Sequence, residues 1–224
     1  MPQEAPNPSA RQNELLEAAY RYALTHGLTD LSLRPLAEAI GSSPRVLLFL
    51  FGSKDGLLRA LLTRARADEL ALLDRAGAPG RPDASDPSGQ PGQPGHSGQP
   101  GPPDQSGQPP GLVPAVRRLW TWLAAKEHRP LLRLWAEAYT RSVVQPDGAW
   151  AGFARATVDD WLRVLAAVQP PSERDSEAGA TRRTLALALL RGALLDLLAT
   201  DDEQRLTAAV EHQLTLLHAE DEAG

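Results

Sequence analysis

The sequence predicts an all-α protein in two parts: an N-terminal three-helix domain built on a helix-turn-helix, and a larger C-terminal helical domain. Three observations carry this. Apolar residues recur at helical spacing through both halves. The stretch from Ser32 to Leu58 is punctuated by residues that start and stop short helices. A segment from Gly77 to Gly111 with 9 Gly and 10 Pro in 35 residues separates the two parts.

Residues 1–9 read as a disordered leader. Leu15, Ala18, Ala19, Tyr22 and Ala23 then mark one face of a helix from about Ala10 to Thr25, with Tyr22 its core aromatic and His26-Gly27 its end. Ser32 is a good N-cap for a second helix, and Pro35 is tolerated in its first turn, where N–H groups lack helical partners. Gly41 follows Leu36, Ala37 and Ile40 at the position where a left-handed residue ends a helix. Ser43-Pro44 restarts the chain as N-cap and N1. Two short helices across a glycine turn make a helix-turn-helix, whose second helix offers its start to base edges in the DNA major groove.

That start carries Ser42, Ser43, Pro44, Arg45 and Val46, with Phe49 a turn later. Arg45 is the single charged side chain between Glu38 and Lys54. Arginine is the side chain best shaped to bind guanine O6 and N7 together. The plainer alternative is an ordinary helical corner with a solvated arginine, and spacing by itself leaves both open.

Gly52-Ser53 opens a longer helix, Lys54 to about Arg75, which bridges the domain of residues 10–53 and the body; residues 54–76 are its span. Lys54 sits in its first turn, where free N–H groups favour a phosphate. Segment 77–111 holds no Leu, Ile, Val or aromatic residue, so it buries too little to offset its ordering entropy and reads as a flexible loop. Gly89 to Gly101 repeats every third residue, but five triplets are too few for a collagen helix.

Helical periodicity returns over residues 112–219: to about Lys126, from Pro130, from Trp150 to Val168, from about Ala180 to Ala199, and from about Asp202 to Ala219. Pro146-Asp147-Gly148 is a turn, 170–177 a polar loop, and 220–224 a frayed tail. All five Trp lie between Trp120 and Trp161. An aromatic-rich interior there can line a pocket for a small apolar or aromatic ligand, with Trp120, Trp135, Tyr139 and Trp161 as candidates and His128, Arg133 and Glu137 as polar neighbours. Plain core packing is the alternative. The penultimate helix is apolar over most of its circumference, so it must be covered on several faces.

Residues 11–62 resemble the DNA-binding domain of the TetR family of bacterial transcriptional regulators. The matching pieces are LLEAAYRYALTHG, LSLRPLAEAIG and the run ending FGSKDGLL. Leu48 stands where the family usually places a phosphate-touching Tyr. The resemblance implies a homodimeric, DNA-binding repressor that leaves a palindromic double-stranded operator when a ligand binds. Ser43 and Arg45 are expected to meet bases, and Ser32, Arg34 and Lys54 phosphates. The last two helices of each chain are expected to form a four-helix dimer interface through Leu189, Leu190, Ala193, Leu194, Leu197, Val210, Leu214 and Leu217. A constitutive DNA-binding dimer and a helical protein-interaction module remain the alternatives.

Charge fits the division of labour. Residues 1–66 carry eight basic and six acidic side chains, the remainder 15 against 22. A mildly basic head on an acidic body directs polyanions to the head. Without cysteine the chain has neither disulfides nor thiolate metal sites, which suits the cytoplasm. No apolar run approaches a membrane span, and no catalytic motif, metal spacing or cofactor loop is evident, so no enzyme activity and no cofactor are expected.

Overall fold

The computed structural model describes residues 8–28, 30–77 and 111–223. Among these residues ten α-helices and two single 3-10 turns make up all the regular structure. Helices α1 (Pro8–His26), α2 (Leu33–Ala39) and α3 (Pro44–Phe51) form the head. The bridge is α4 (Lys54–Gly77). The body comprises α5 (Leu112–Ala124), α6 (Arg129–Val144), α7 (Phe153–Ala167), the one-turn α8 (Pro171–Arg174), α9 (Glu177–Thr200) and α10 (Glu203–Ala223). The all-α, two-part expectation holds.

Several boundaries move. Pro8 and Ser9, expected in the leader, begin α1, since proline is welcome in a first turn. Helix α10 continues through most of the expected tail. The polar loop at 170–177 contains a helical turn, started by Pro171. Leader residues 1–7 and most of the glycine- and proline-rich loop lie outside the described residues. In α1 the core aromatic is Tyr20, not Tyr22. Tyr22 is only partly buried and stacks its ring on His26 at 3.9 Å.

One apolar core runs from head to body. Leu15, Ala19, Leu36, Leu47, Leu57 and Leu61 fill the head, and Leu119, Leu123, Leu165, Leu190 and Val210 fill the body. Helix α4 joins them, packing on α1 and α3 at one end and on α5, α6 and α7 further along. A second junction joins head to body directly. The Leu28 amide at the end of α1 donates to Glu137 Oε2 on α6 at 2.9 Å. Helices α9 and α10 pack on each other, α10 against α5, and α9 against α5 and α7.

Candidate nucleic-acid interface

Local backbone chemistry builds the reading head. At the end of α2, Gly41 takes φ +64°. Its N–H donates to Glu38 O at 3.2 Å while Ser42 N–H donates to Ala37 O at 2.8 Å. This pair of bonds is the Schellman closure, which satisfies carbonyls that the helix end would otherwise leave bare. Ser43 then caps α3, its Oγ accepting from Val46 N–H at 3.3 Å, with Pro44 at N1. Gln12 of α1 ties down the far end of α3 through a bond from Nε2 to Leu50 O at 2.9 Å. The next helix repeats the device: Ser53 Oγ accepts from Gly56 N–H at 2.9 Å. A Cβ at Gly56 would lie 2.0 Å from Phe51 O, so the turn between α3 and α4 closes only over glycine.

Helix α3 therefore has a fixed inner and outer face. Leu47 is buried against the head. Arg45 and Phe49, one turn apart, lie at the centre of the outer face, flanked by Val46 and Leu48. Phe49 is 83% exposed, Leu48 41% and Val46 39%. The starts of α2, α3 and α4 converge around a surface cleft lined by Asp30, Leu31, Ser32, Leu33, Arg34, Pro44 and Lys54. Arg34, Arg45 and Lys54 are exposed and make no ion pair with any described residue. The Ser32 hydroxyl makes no cap bond, so it too is left for a partner. Three helix starts and two cations, set against the one carboxylate of Asp30, leave the cleft net positive, which suits a phosphate.

Ser42 is the exception among the expected DNA contacts. Its Oγ is shielded from solvent without a hydrogen-bond partner, because the Schellman turn rolls the side chain inward. Ser43 spends an acceptor lone pair on the cap, which leaves its hydroxyl hydrogen free. Leu48, in place of the expected Tyr, keeps an outward position and offers no hydrogen bond.

The body holds a small apolar cavity with a free volume of about 10 Å³, closed by its surrounding side chains. Leu62, Ala65 and Glu69 of α4 line it together with Trp122 of α5, Leu131, Leu132, Leu134, Trp135 and Ala138 of α6, and Phe153 of α7. Of the four expected ligand residues, Trp135 lines this space directly. Tyr139 packs beside it, ring centroids 5.2 Å apart, and its hydroxyl accepts from Arg191 Nη1 at 3.2 Å. Trp161 stands behind Glu69, donating from Nε1 to Oε1 at 2.6 Å. Trp120 is elsewhere: it is buried, and its indole N–H donates to Thr207 Oγ1 at 3.0 Å, tying α5 to α10. Of the polar neighbours, His128 stacks on Trp122, Glu137 serves the head, and Arg133 is exposed.

Glu69 and Trp122 are the cavity residues that the sequence reading missed. The signal was present. Leu58, Leu62, Ala65 and Glu69 form one helical stripe, so a carboxylate stands where the pattern calls for an apolar residue. Burial pushes the Glu69 carboxyl up to about 7, against the Trp161 hydrogen bond that lowers it. One turn earlier, Arg66 Nε binds Asp160 Oδ2 of α7 at 2.5 Å. Burial would raise Asp160, but hydrogen bonds from Arg66 and Arg163 outweigh it and hold the carboxyl below its ordinary range.

The residues expected at the dimer interface divide by exposure within the single chain. Leu190, Leu194, Leu197, Val210, Leu214 and Leu217 are buried within their own chain, and Leu189 and Ala193 are partly covered. Helix α9 instead exposes Leu185, Ala188, Gly192, Leu195 and Ala199, which recur at alternating spacings of three and four residues. On α10, Ala209 and Leu216 are exposed. Helix α9 therefore has two apolar faces, one turned into its own body and one turned outward.

Residues 15–61 match the family model described as "Bacterial regulatory proteins, tetR family". No curated protein matches the chain in sequence. Among solved structures, a putative TetR-family transcriptional regulator from Rhodococcus sp. is similar at 18% identity and TM-score 0.62, covering 92% of this chain and 97% of that one. A putative transcriptional regulator from Pseudomonas aeruginosa PAO1 is similar at 16% identity and TM-score 0.62, covering 96% and 93%. The multidrug binding protein EbrR, solved with imidazole, is similar at 22% identity and TM-score 0.58, covering 95% and 96%. At these identities the likeness is one of fold. Among the described residues no helix is long and apolar enough to cross a membrane. Residues 15–61 therefore match the tetR family of bacterial regulatory proteins, and they do so within a two-part helical fold that the chain shares with solved transcriptional regulators.

Proposed function

We propose that the protein is a dimeric repressor of transcription that leaves a palindromic operator when a small molecule occupies its body. The single observation behind the reading is the outward face of α3, with Arg45 at its centre, set beside a cleft that gathers Ser32 and Arg34 at the start of α2 and Lys54 at the start of α4. Arg45 reads a guanine, the cleft holds backbone phosphate, and a two-fold axis repeats both in successive major grooves.

The stripe Leu185–Ala188–Gly192–Leu195–Ala199 supports the two-fold partner. Small and apolar residues at heptad spacing let two helices approach closely, and a partner would remove that surface from water. Leu195→Glu places a charge in the stripe; sedimentation should then show monomers where the native chain shows dimers, with helicity unchanged.

The cavity supports the response. Its floor belongs to α4, the helix that begins at Lys54 beside the phosphate cleft. EbrR, similar in fold, has been solved with proflavin as well as imidazole. A planar ligand between Trp122, Trp135 and Phe153 would open the wall against α4 and favour one arrangement of head and body over the other. A difference of about 2 to 3 kcal/mol would weaken operator affinity roughly 30- to 150-fold.

The deciding experiment is selection of bound sites from random duplexes, followed by a gel shift with Arg45→Ala. A palindrome whose specific band vanishes in the variant supports the reading; affinity for DNA that is blind to sequence and fades with salt refutes it. Arg45→Ala should cost about 1 to 3 kcal/mol of discrimination per half-site, with melting unchanged because the side chain is exposed.

A further inference from the structure

The outer face of α3 is poor in hydrogen-bonding groups. Arg45 is its one long donor. Ser42 is turned inward and Ser43, at the helix start, keeps only its hydroxyl hydrogen beside the cap, so the rest of the face is Val46, Leu48 and Phe49. Phe49 is the most exposed large apolar side chain among the described residues. The ring is not held there by any neighbour: its helix partners Leu47, Leu50 and Phe51 all turn toward the head.

An aromatic ring gains nothing from a phosphate. In the major groove the one apolar group is the C5 methyl of thymine. Arg45 and Phe49 are separated by one helical turn, about 6 Å along the axis at 1.5 Å per residue. Bases rise by about 3.4 Å per step, so the ring falls roughly two base pairs from the guanine that Arg45 reads.

We propose that Phe49, backed by Val46 and Leu48, selects thymine in the operator half-site by packing on its C5 methyl about two base pairs from the Arg45-bound guanine. The specificity of this head then rests on one bidentate hydrogen bond and one apolar contact. Leu48, outward and without a hydroxyl, adds to the apolar strip what it takes from phosphate binding. The inference rests on the DNA-reading function above and adds the base that the head prefers.

Replacing thymine by deoxyuridine tests it, since this removes the methyl and leaves every hydrogen-bonding group. Operators are first selected from random duplexes with the full-length protein. Each thymine of the recovered half-site is then replaced in turn, and Kd is read by fluorescence anisotropy at one salt concentration for the native chain and for Phe49→Ala. One or two replacements should weaken native binding about three- to tenfold, the worth of a buried methyl. Phe49→Ala should bind the thymine and uracil duplexes alike, and should melt with the native protein because the ring is 83% exposed. A native protein indifferent to uracil at every position overturns the inference, and so does a Phe49→Ala variant that still discriminates. If a palindrome is recovered without methyl dependence, only this inference falls; if no preferred sequence is recovered, the regulator reading falls with it.

Discussion

The head and the body treat polar groups in opposite ways. In the head the groups that matter are outside: Arg34, Arg45 and Lys54 are exposed and unpaired among the described residues, and Ser32 keeps its hydroxyl free. In the body, and where the bridge α4 packs on it, they are inside: Glu69, Arg129, Thr157, Asp160 and Gln169 are all buried. An exposed cation waits for a partner and costs the fold little. A buried charge must be matched by neighbours that hold still, so any motion or ligand that disturbs them is felt strongly. The head thus carries its polar groups at its surface, and the body carries them within its packing.

The sharpest way to break this contrast is to neutralise the body's buried acid. Folding raises the Glu69 carboxyl from its ordinary 4.5 to about 7, so the folded chain binds that proton more tightly than the unfolded one. The stabilisation is complete below pH 4.5, declines as pH rises toward 7, and is absent above. Asp160 and Glu211, held below their ordinary values, act in the opposite sense, losing their contribution as the solution becomes more acid. Glu69→Gln should remove the decline and be more stable than the native chain at pH 8 by an amount on the order of 3 kcal/mol. Urea unfolding at pH 5 and pH 8 measures it; equal slopes with pH in both proteins would show that Glu69 carries no such cost. No exposed head residue should alter stability in this way.

A smaller effect is expected where the head depends on its backbone. Gly56→Ala sets a methyl against Phe51 O, a backbone atom that cannot swing aside. About 2 kcal/mol of stability should be lost, read by thermal melting, with operator binding lost together with the α3–α4 turn. Smaller still is the seam between the two regions. Glu137→Ala removes the acceptor of the Leu28 amide and should cost about 1 kcal/mol. Its signature is local: hydrogen exchange should quicken at the end of α1 and leave α9 unchanged.

Much of the head was legible in its residues because its geometry is set within a few positions of each one. Gly41, Ser43-Pro44 and Gly52-Ser53 announce a turn, a cap and a second turn, and each does that task in the fold. The inward roll of Ser42 was not legible, since it follows from how the Schellman turn seats against the head. In the body, periodicity located the helices but not the direction of each face. Trp120 and Trp135 look alike along the chain, yet one ties α5 to α10 and the other lines the cavity. Helix α9 shows the limit most clearly, because a helix apolar on two sides satisfies the same pattern whichever side is turned inward.

The sequence by itself determined where most helices lie, which of them form the helix-turn-helix corner, and that Arg45 is that corner's one long donor. These are short-range matters of caps, backbone angles and charge, decided between residues a few places apart. Only the tertiary structure decided that Glu69 stands in an apolar cavity on the bridging helix, and that Leu185 and Leu195, not Leu190 and Leu194, face outward. Those outcomes depend on which surfaces lose water to segments a hundred residues away, and a one-dimensional pattern does not contain that choice.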